Sequence, residues 1–224
     1  NYYTSGTNVL AKKGVVKSWS DLKGKPVCGK QGAFYNKQVS KKYGAKIIAF
    51  VGNTLLDRSQ DFGYLETLLH QAHPNHDLTI RNLSWSADAL GLQPRPAHFA
   101  DTDQHLVFVK ADVVFAAFGF NESFAGPSGL AKFRADLANY IAATKAKAFN
   151  GKTGPRLVLL SPIANENVEG VNAAANNTNI RLYTEAMRDV AAAQRVGFVD
   201  LFSVTEKAMA APRHDLTFNG CHLN

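Results

Sequence analysis

Ile47-Ile48-Ala49-Phe50-Val51 decides the fold of this chain, and Gly52-Asn53-Thr54 follows it directly. These five consecutive apolar residues are mostly β-branched or aromatic, which predicts a strand that is buried on both faces. Such strands belong to parallel sheets that helices cover on both sides. Gly52-Asn53-Thr54 is then placed at the carboxyl end of a strand, where open α/β sheets build their functional sites.

Strands and helices are predicted in alternation along the rest of the chain. Apolar runs indicate further strands over residues 78–83, 111–118, 156–161 and 197–202. Helical spacing and stop signals indicate helices over residues 59–72, 102–110, 128–149, 176–195 and 204–210. Residues 85–100 contain prolines and a glycine and are predicted to form a long loop. This alternation predicts an α/β fold, with a mainly parallel sheet between two layers of helices.

The first 46 residues are predicted to add a βα segment, which either pairs with this sheet or forms a separate small layer. Short strands over 8–13 and 25–30 flank a capped turn at 18–22, and a helix follows over 36–43. The segment carries ten Lys and one acid, Asp21, so it holds more positive charge than the net +7 of the whole chain. Because these lysines are spread through predicted elements and no Arg accompanies them, we favour a solvated surface over a nucleic-acid-binding arm.

The composition argues against several classes of protein. No run of 18 or more apolar residues occurs, so no membrane span is predicted. Cys28 and Cys221 are far apart and fit no metal-ligand spacing, which favours two free thiols. Three histidines lie between residues 70 and 76, but Pro74 breaks the helical spacing that a metal site there would need. We therefore predict neither a metal nor an organic cofactor.

Two more polar motifs follow a predicted strand or lie on a late loop. Gly119-Phe120-Asn121-Glu122 comes directly after the strand 111–118, and Asn219-Gly220-Cys221-His222 lies close to the C-terminus. With Thr54, these motifs supply a hydroxyl, an amide donor and a histidine to one edge of the sheet. A hydrolase that attacks a carbonyl carbon uses such groups as nucleophile, oxyanion donor and general base.

From about Ile47 to the C-terminus, the chain resembles the SGNH/GDSL hydrolases, in particular their divergent planctomycete-type members. The family's Gly-Asp-Ser block corresponds to Gly52-Asn53-Thr54, and its Gly-x-Asn-Asp block to residues 119–122. Its second block corresponds to Asn82-Leu83-Ser84-Trp85-Ser86-Ala87, with Ser84 at the position of the family's glycine. Its Asp-x-x-His block corresponds to residues 219–222. The resemblance implies a flavodoxin-like sheet in a three-layer α/β/α sandwich.

The same resemblance implies an ester hydrolase that acts on a small-molecule carbohydrate or acyl ester without a metal or cofactor. Thr54 would occupy the nucleophile position, His222 would be the general base, and Asn219 would orient it. The backbone N–H of Ser84 and the side chain of Asn121 would form the oxyanion hole. The family is often exported, and nothing in the sequence indicates the oligomeric state.

Three residues depart from the family's pattern, namely Thr54 for Ser, Asn219 for Asp and Ser84 for Gly. The methyl group of Thr54 crowds the path of attack, and an amide at position 219 cannot offset the charge of an imidazolium ion. We therefore expect weak or lost activity. Plainer roles remain open: Thr54 would cap a helix, Asn121 would hold a loop, and His222 would lie on a frayed terminus. Ser86 is another hydroxyl, but it lacks the Gly-x-Ser-x-Gly elbow.

Residues 1 to about 50 resemble the middle of a polar-amino-acid periplasmic binding protein, including its crossover strand and the start of its second lobe. The two resemblances predict a chimera, with a binding-protein-like segment over 1–46 and a hydrolase-like domain over 47–224. A non-enzymatic chimera or a small-ligand-binding domain is the alternative function. Amino-acid binding itself is not expected, because Ala33 lacks the hydroxyl that the binding proteins often place there, and the opposing lobe is missing.

Overall fold

The computed structural model describes residues 46–210 and 216–224. Within them, one sheet has five strands: β1 Lys46–Gly52, β2 Leu78–Asn82, β3 Val113–Ala117, β4 Arg156–Leu160 and β5 Gly197–Val199. The strands lie in the order β2-β1-β3-β4-β5, and every neighbouring pair is parallel. The predicted α/β fold with a parallel sheet is confirmed.

Seven helices connect and follow these strands in the described ranges. They are α1 Thr54–Phe62, α2 Tyr64–Ala72, α3 Thr102–Val109, α4 Phe120–Ser123, α5 Gly126–Ala146, α6 Ala173–Gln194 and α7 Leu201–Met209. None of the helices that the structure describes combines the length and apolar character needed to cross a membrane.

Successive side chains of β1 point to opposite faces of the sheet, so they divide between two cores. Ala49 and Val51 pack on one face of the sheet, in a core to which α3, α5 and α6 contribute. Ile48 and Phe50 pack on the other face, against α1 and α2. Since both sets are buried, the continuous apolar run of this strand is explained by helices on both faces of the sheet. The molecule therefore has the three expected layers.

Two predicted elements differ from those observed. The helix predicted over 59–72 is two helices that begin at Thr54, and Gly63 separates them with a left-handed backbone at φ 67°. The strand predicted over 197–202 ends at Val199, because the side chain of Asp200 accepts a hydrogen bond from the N–H of Ser203 and begins α7. The elements predicted before residue 46 lie outside the described residues.

β1 has no free edge, because it pairs with β2 on one side and with β3 on the other. The carboxyl ends of β1 and β3 approach closely at Gly52, which has φ 142°. A Cβ atom at this position would lie 2.2 Å from the carbonyl oxygen of Ala117. The N–H of Asn53 donates to the same oxygen at 3.2 Å. Glycine at position 52 thus sets the spacing of the two strands where the polar motifs begin.

We predict that Gly52→Ala destabilises the fold by about 3 kcal/mol, from an unfavourable φ combined with a clash against rigid backbone. Gly63→Ala is the matched control, because its φ is also positive but nothing lies within 4 Å of the added atom. We expect it to cost about 1 kcal/mol. Urea denaturation followed by circular dichroism measures both, and equal losses would contradict the close-approach argument.

Candidate active site

A cavity of about 160 Å³ lies at the carboxyl ends of β1 and β3. β1 has β2 on one side and β3 on the other. The strand order of the sheet therefore reverses between β1 and β3, where the cavity lies. Doubly wound sheets bind ligands at such points. Three of the predicted site residues line the cavity, namely Thr54, Asn121 and His222.

Thr54 is the first residue of α1 and is not its cap. Asn53 takes that role, since its side-chain oxygen accepts a hydrogen bond from the N–H of Leu55 at 3.1 Å. The alternative in which Thr54 caps the helix is therefore wrong. The hydroxyl oxygen of Thr54 instead accepts a hydrogen bond from the N–H of Ala87 at 3.1 Å. Its own proton has no acceptor among the described residues.

Ser84 is placed differently from the expectation. Its backbone N–H donates to the side-chain oxygen of Asn82 at 3.0 Å, and the residue does not line the cavity. The N–H that faces Thr54 belongs to Ala87, three residues later, whose φ is 66°. Glycine adopts that conformation far more easily than alanine does, so Ala87 is the position where a glycine would be expected. The sequence reasoning missed this residue because a positive φ is not visible in a motif.

Asn121 holds the loop that carries Ala87. Its side-chain nitrogen donates to the carbonyl oxygens of Ala87 at 2.9 Å and Asp88 at 3.1 Å. The neighbouring Glu122 accepts hydrogen bonds from the N–H groups of Leu90 at 2.6 Å and Gly119 at 2.8 Å. Asn121 thus holds the loop that follows β2, whereas the alternative from the sequence had it fix the loop after the strand 111–118. An oxyanion role would require the amide of Asn121 to leave these carbonyls.

The loop is also held by a buried ion pair. Asp88 and Arg95 have side-chain exposures of 1% and 9%, and two hydrogen bonds of 2.8 and 2.7 Å join them. The guanidinium of Arg95 lies over the ring of Trp85 at 4.7 Å. A buried, bidentate pair of this kind fixes the direction of both side chains. The N–H of Ala87 is consequently held in place from both sides of the loop.

The C-terminal residues are anchored and not frayed. Glu166 is buried and accepts hydrogen bonds from the N–H groups of Leu216 at 2.8 Å and Thr217 at 2.7 Å, and from the Thr217 hydroxyl at 2.6 Å. The N–H of Glu166 donates to the carbonyl of Gly220 at 2.8 Å. Burial alone would raise the pKa of Glu166, but these hydrogen bonds outweigh it and lower the pKa. A charged carboxylate therefore holds the segment that carries His222.

Asn219 lies against the imidazole ring, as the sequence predicts. Nδ1 of His222 is 3.1 Å from the side-chain oxygen of Asn219 and 2.9 Å from its nitrogen. The same Asn219 oxygen accepts a hydrogen bond from the backbone N–H of His222 at 3.0 Å. This hydrogen bond keeps the oxygen facing the imidazole ring. If Nδ1 carries the proton, Nε2 keeps a free lone pair and is able to act as a base.

His222 also stacks on Phe218, with ring centroids 5.6 Å apart and planes 18° apart. Arg58 of α1 lies over the ring of Phe218, with its guanidinium carbon 4.9 Å from the ring centroid. Burial lowers the pKa of His222, and the positive charge of Arg58 lowers it further. Burial raises the pKa of the adjacent Cys221 thiol, so that this residue stays protonated.

Thr54 and His222 share the cavity, but no hydrogen bond joins them in the part of the chain that the structure describes. Such contacts are often long in unliganded enzymes and tighten only with substrate bound.

No group of three or more His, Cys, Asp or Glu is placed to hold a metal within residues 46–210 and 216–224.

The family of the chain follows from a comparison with protein-family models. Residues 31–224 match the GDSL-like lipase/acylhydrolase family. The chain belongs to this family. The match includes part of the segment that resembled a binding protein, and the comparisons support neither that fragment nor a chimera. No curated protein matches the sequence at a significant level.

Solved structures of GDSL-like and related esterases share the fold at low identity. A putative GDSL-like lipase from Parabacteroides merdae has a TM-score of 0.63 at 17% identity, over 80% of this chain and 88% of that one. An acetylxylan esterase from Geobacillus stearothermophilus has a TM-score of 0.60 at 15% identity, over 80% and 87%. The acetyl xylan esterase AlAXEase has 0.57 at 16%, over 80% and 91%. Catalytic mutants of the Geobacillus enzyme replace a serine, an aspartate or a histidine.

We predict that His222 titrates below the ordinary range of a histidine, and that Arg58→Gln raises its pKa because a nearby positive charge is removed. The low pKa keeps the ring neutral, and thus able to accept a proton, to a lower pH than is usual. NMR titration of the ring protons measures the shift. Arg181→Gln, at an arginine paired with Glu206, should leave the pKa unchanged. An unchanged or lower pKa in Arg58→Gln would contradict the assigned electrostatic contact.

Proposed function

We propose that this GDSL-like chain is an ester hydrolase for small acyl groups, with slow turnover. The observation that carries the proposal is the cavity that Thr54 and His222 both line, with Asn219 against the His222 ring. In this scheme the Thr54 hydroxyl attacks the carbonyl carbon while His222, held by Asn219, accepts its proton. The bond from the carbonyl carbon to the alcohol oxygen then breaks, and the alcohol leaves with the proton from His222. Water next attacks the acyl-enzyme and gives a proton to His222, which returns it to the Thr54 oxygen as the acid is released.

We propose that the backbone N–H of Ala87 is an oxyanion donor, in place of Ser84. It points at the attacking oxygen in the unliganded site, and the carbonyl oxygen of a bound ester would lie within its reach. Asn121 and Glu122 support it by holding the loop. One oxyanion donor contributes about 3 kcal/mol of transition-state stabilisation in a serine protease.

The acyl group is proposed to be small. The cavity of about 160 Å³ is well below the roughly 300–1,000 Å³ of sites for drug-sized ligands, and apolar side chains such as Phe118 and Ile163 line much of it. An acetyl group suits this volume and lining. The acetylxylan esterases among the structural neighbours make an acetylated carbohydrate the substrate class to test first.

Two features support slow turnover. Asn219 cannot neutralise the imidazolium ion that forms when His222 takes the proton, and in a serine protease the same change of carboxylate to amide costs about 10⁴ in rate. The branched side chain of Thr54 is restricted in χ1, and its oxygen already accepts a hydrogen bond from Ala87. We expect the framework to be assembled and the chemical step to be the weak part.

Hydrolysis of p-nitrophenyl acetate tests this proposal. Asn219→Asp should raise kcat roughly 10²-fold by stabilising the imidazolium ion, Thr54→Ser should raise it by relieving crowding, and His222→Ala should abolish activity above background. Thr178→Ser is the matched control, because this exposed hydroxyl bonds only to Ala174 in its own helix. Rates equal to the buffer background for the wild type, Asn219→Asp and Thr54→Ser alike would show that the site does not work.

A further inference from the structure

Arg58 is a cation close to His222, and it has no carboxylate partner among the described residues. It follows Thr54 by four residues in α1, so both side chains lie on the same face of that helix. Its guanidinium carbon lies 4.9 Å from the centroid of Phe218, the ring that stacks on His222. Its charge is close enough to lower the pKa of His222.

The other arginines that lie over aromatic rings in the described residues differ from Arg58 in one respect. Each of the three is joined to a carboxylate: Arg95 to Asp88, Arg181 to Glu206 and Arg188 to Asp200. Arg58 lies over Phe62 and Phe218 but has no carboxylate partner in the ranges 46–210 and 216–224. The neighbouring Asp57 bonds to Ser86 and Gln60 instead.

One nitrogen of this guanidinium is left without a partner although it is buried. Nε of Arg58 is inaccessible to solvent and makes no hydrogen bond among the described residues. An unsatisfied buried donor is unfavourable, and more so when it is charged. A ligand cannot reach Nε, because neighbouring atoms already cover it. The two terminal nitrogens are not buried in this way and have no hydrogen-bond partner among the described residues. A carboxylate facing them would accept two parallel hydrogen bonds, one from each.

We propose that Arg58 binds a carboxylate carried by the alcohol part of the ester substrate. This inference rests on the proposed function, since it places the acyl group in the cavity and the leaving alcohol beyond His222, towards α1. The substrate class is then an ester of an acidic alcohol, such as an acetylated acidic sugar. The carboxylate of the substrate would also offset the positive charge of Arg58 beside His222. The adjacent Asn219 and Cys221 carry no negative charge that could offset it.

Two acetate esters test the assignment: 4-acetoxybenzoate, whose alcohol part carries a carboxylate, and its neutral methyl ester. The wild type should favour the charged ester, and Arg58→Gln should lower the ratio of the two kcat/KM values roughly tenfold or more, the loss expected for a charge-assisted pair. The ratio cancels any effect of the variant on His222. Arg58→Lys, a point charge without the fork, should fall between them. Arg181→Gln should leave the ratio unchanged, and an unchanged ratio in Arg58→Gln would overturn the proposal.

Benzoate binding decides the matter separately from catalysis. Isothermal titration of the wild type and Arg58→Gln with benzoate should show binding that the variant loses, and circular dichroism verifies that the variant is folded. If neither ester is hydrolysed but benzoate binds through Arg58, the hydrolase proposal fails and the carboxylate site stands. If benzoate does not bind the wild type, or binds both proteins equally, the carboxylate site is wrong whatever the rates show.

Discussion

The close approach of β1 and β3 at Gly52 and Ala117 is the constraint on which the rest of the structure depends. Only a residue without a Cβ fits there, because an added carbon would lie 2.2 Å from the Ala117 carbonyl oxygen. That contact brings the two strands to an end at the same level, and Asn53 then begins α1 with Thr54 at its first position. The cavity forms directly beyond the contact, between the start of α1 and the residues that follow β3.

Two buried carboxylates then bring distant segments to this cavity. Asp88 fixes the loop after β2 through Arg95, and Glu166 fixes the C-terminal segment through the N–H groups of residues 216 and 217. Each joins parts of the chain by strong, charge-assisted hydrogen bonds. The N–H of Ala87 and the ring of His222 are held in place by these anchors together with Asn121. The geometry of the cavity therefore depends on contacts between segments outside the strands.

The electrostatics of the site are set by one amide and one cation beside His222. The ring of His222 lies against the amide of Asn219, and the cation of Arg58 is nearby. Burial and the charge of Arg58 disfavour the imidazolium ion, and the neutral amide of Asn219 does not offset them. The balance of charge therefore differs from that of a triad in which a carboxylate stabilises the protonated ring.

The sequence by itself determined the α/β class, the strand 47–51 and the order of the later elements, because apolar runs and helical spacing are local properties that survive without knowledge of contacts. The motifs at 52–54, 119–122 and 219–222 likewise placed Thr54, Asn121 and His222 at the strand ends. Only the tertiary structure decided that Ala87 and not Ser84 faces Thr54, that Glu166 anchors the terminus, and that Arg58 has no carboxylate partner among the described residues. The position of Ala87 depends on a positive φ, and that of the C-terminal segment on hydrogen bonds between residues 50 positions apart. The pairing of Arg58 depends on which residues surround it in the fold. No spacing in the sequence encodes any of the three.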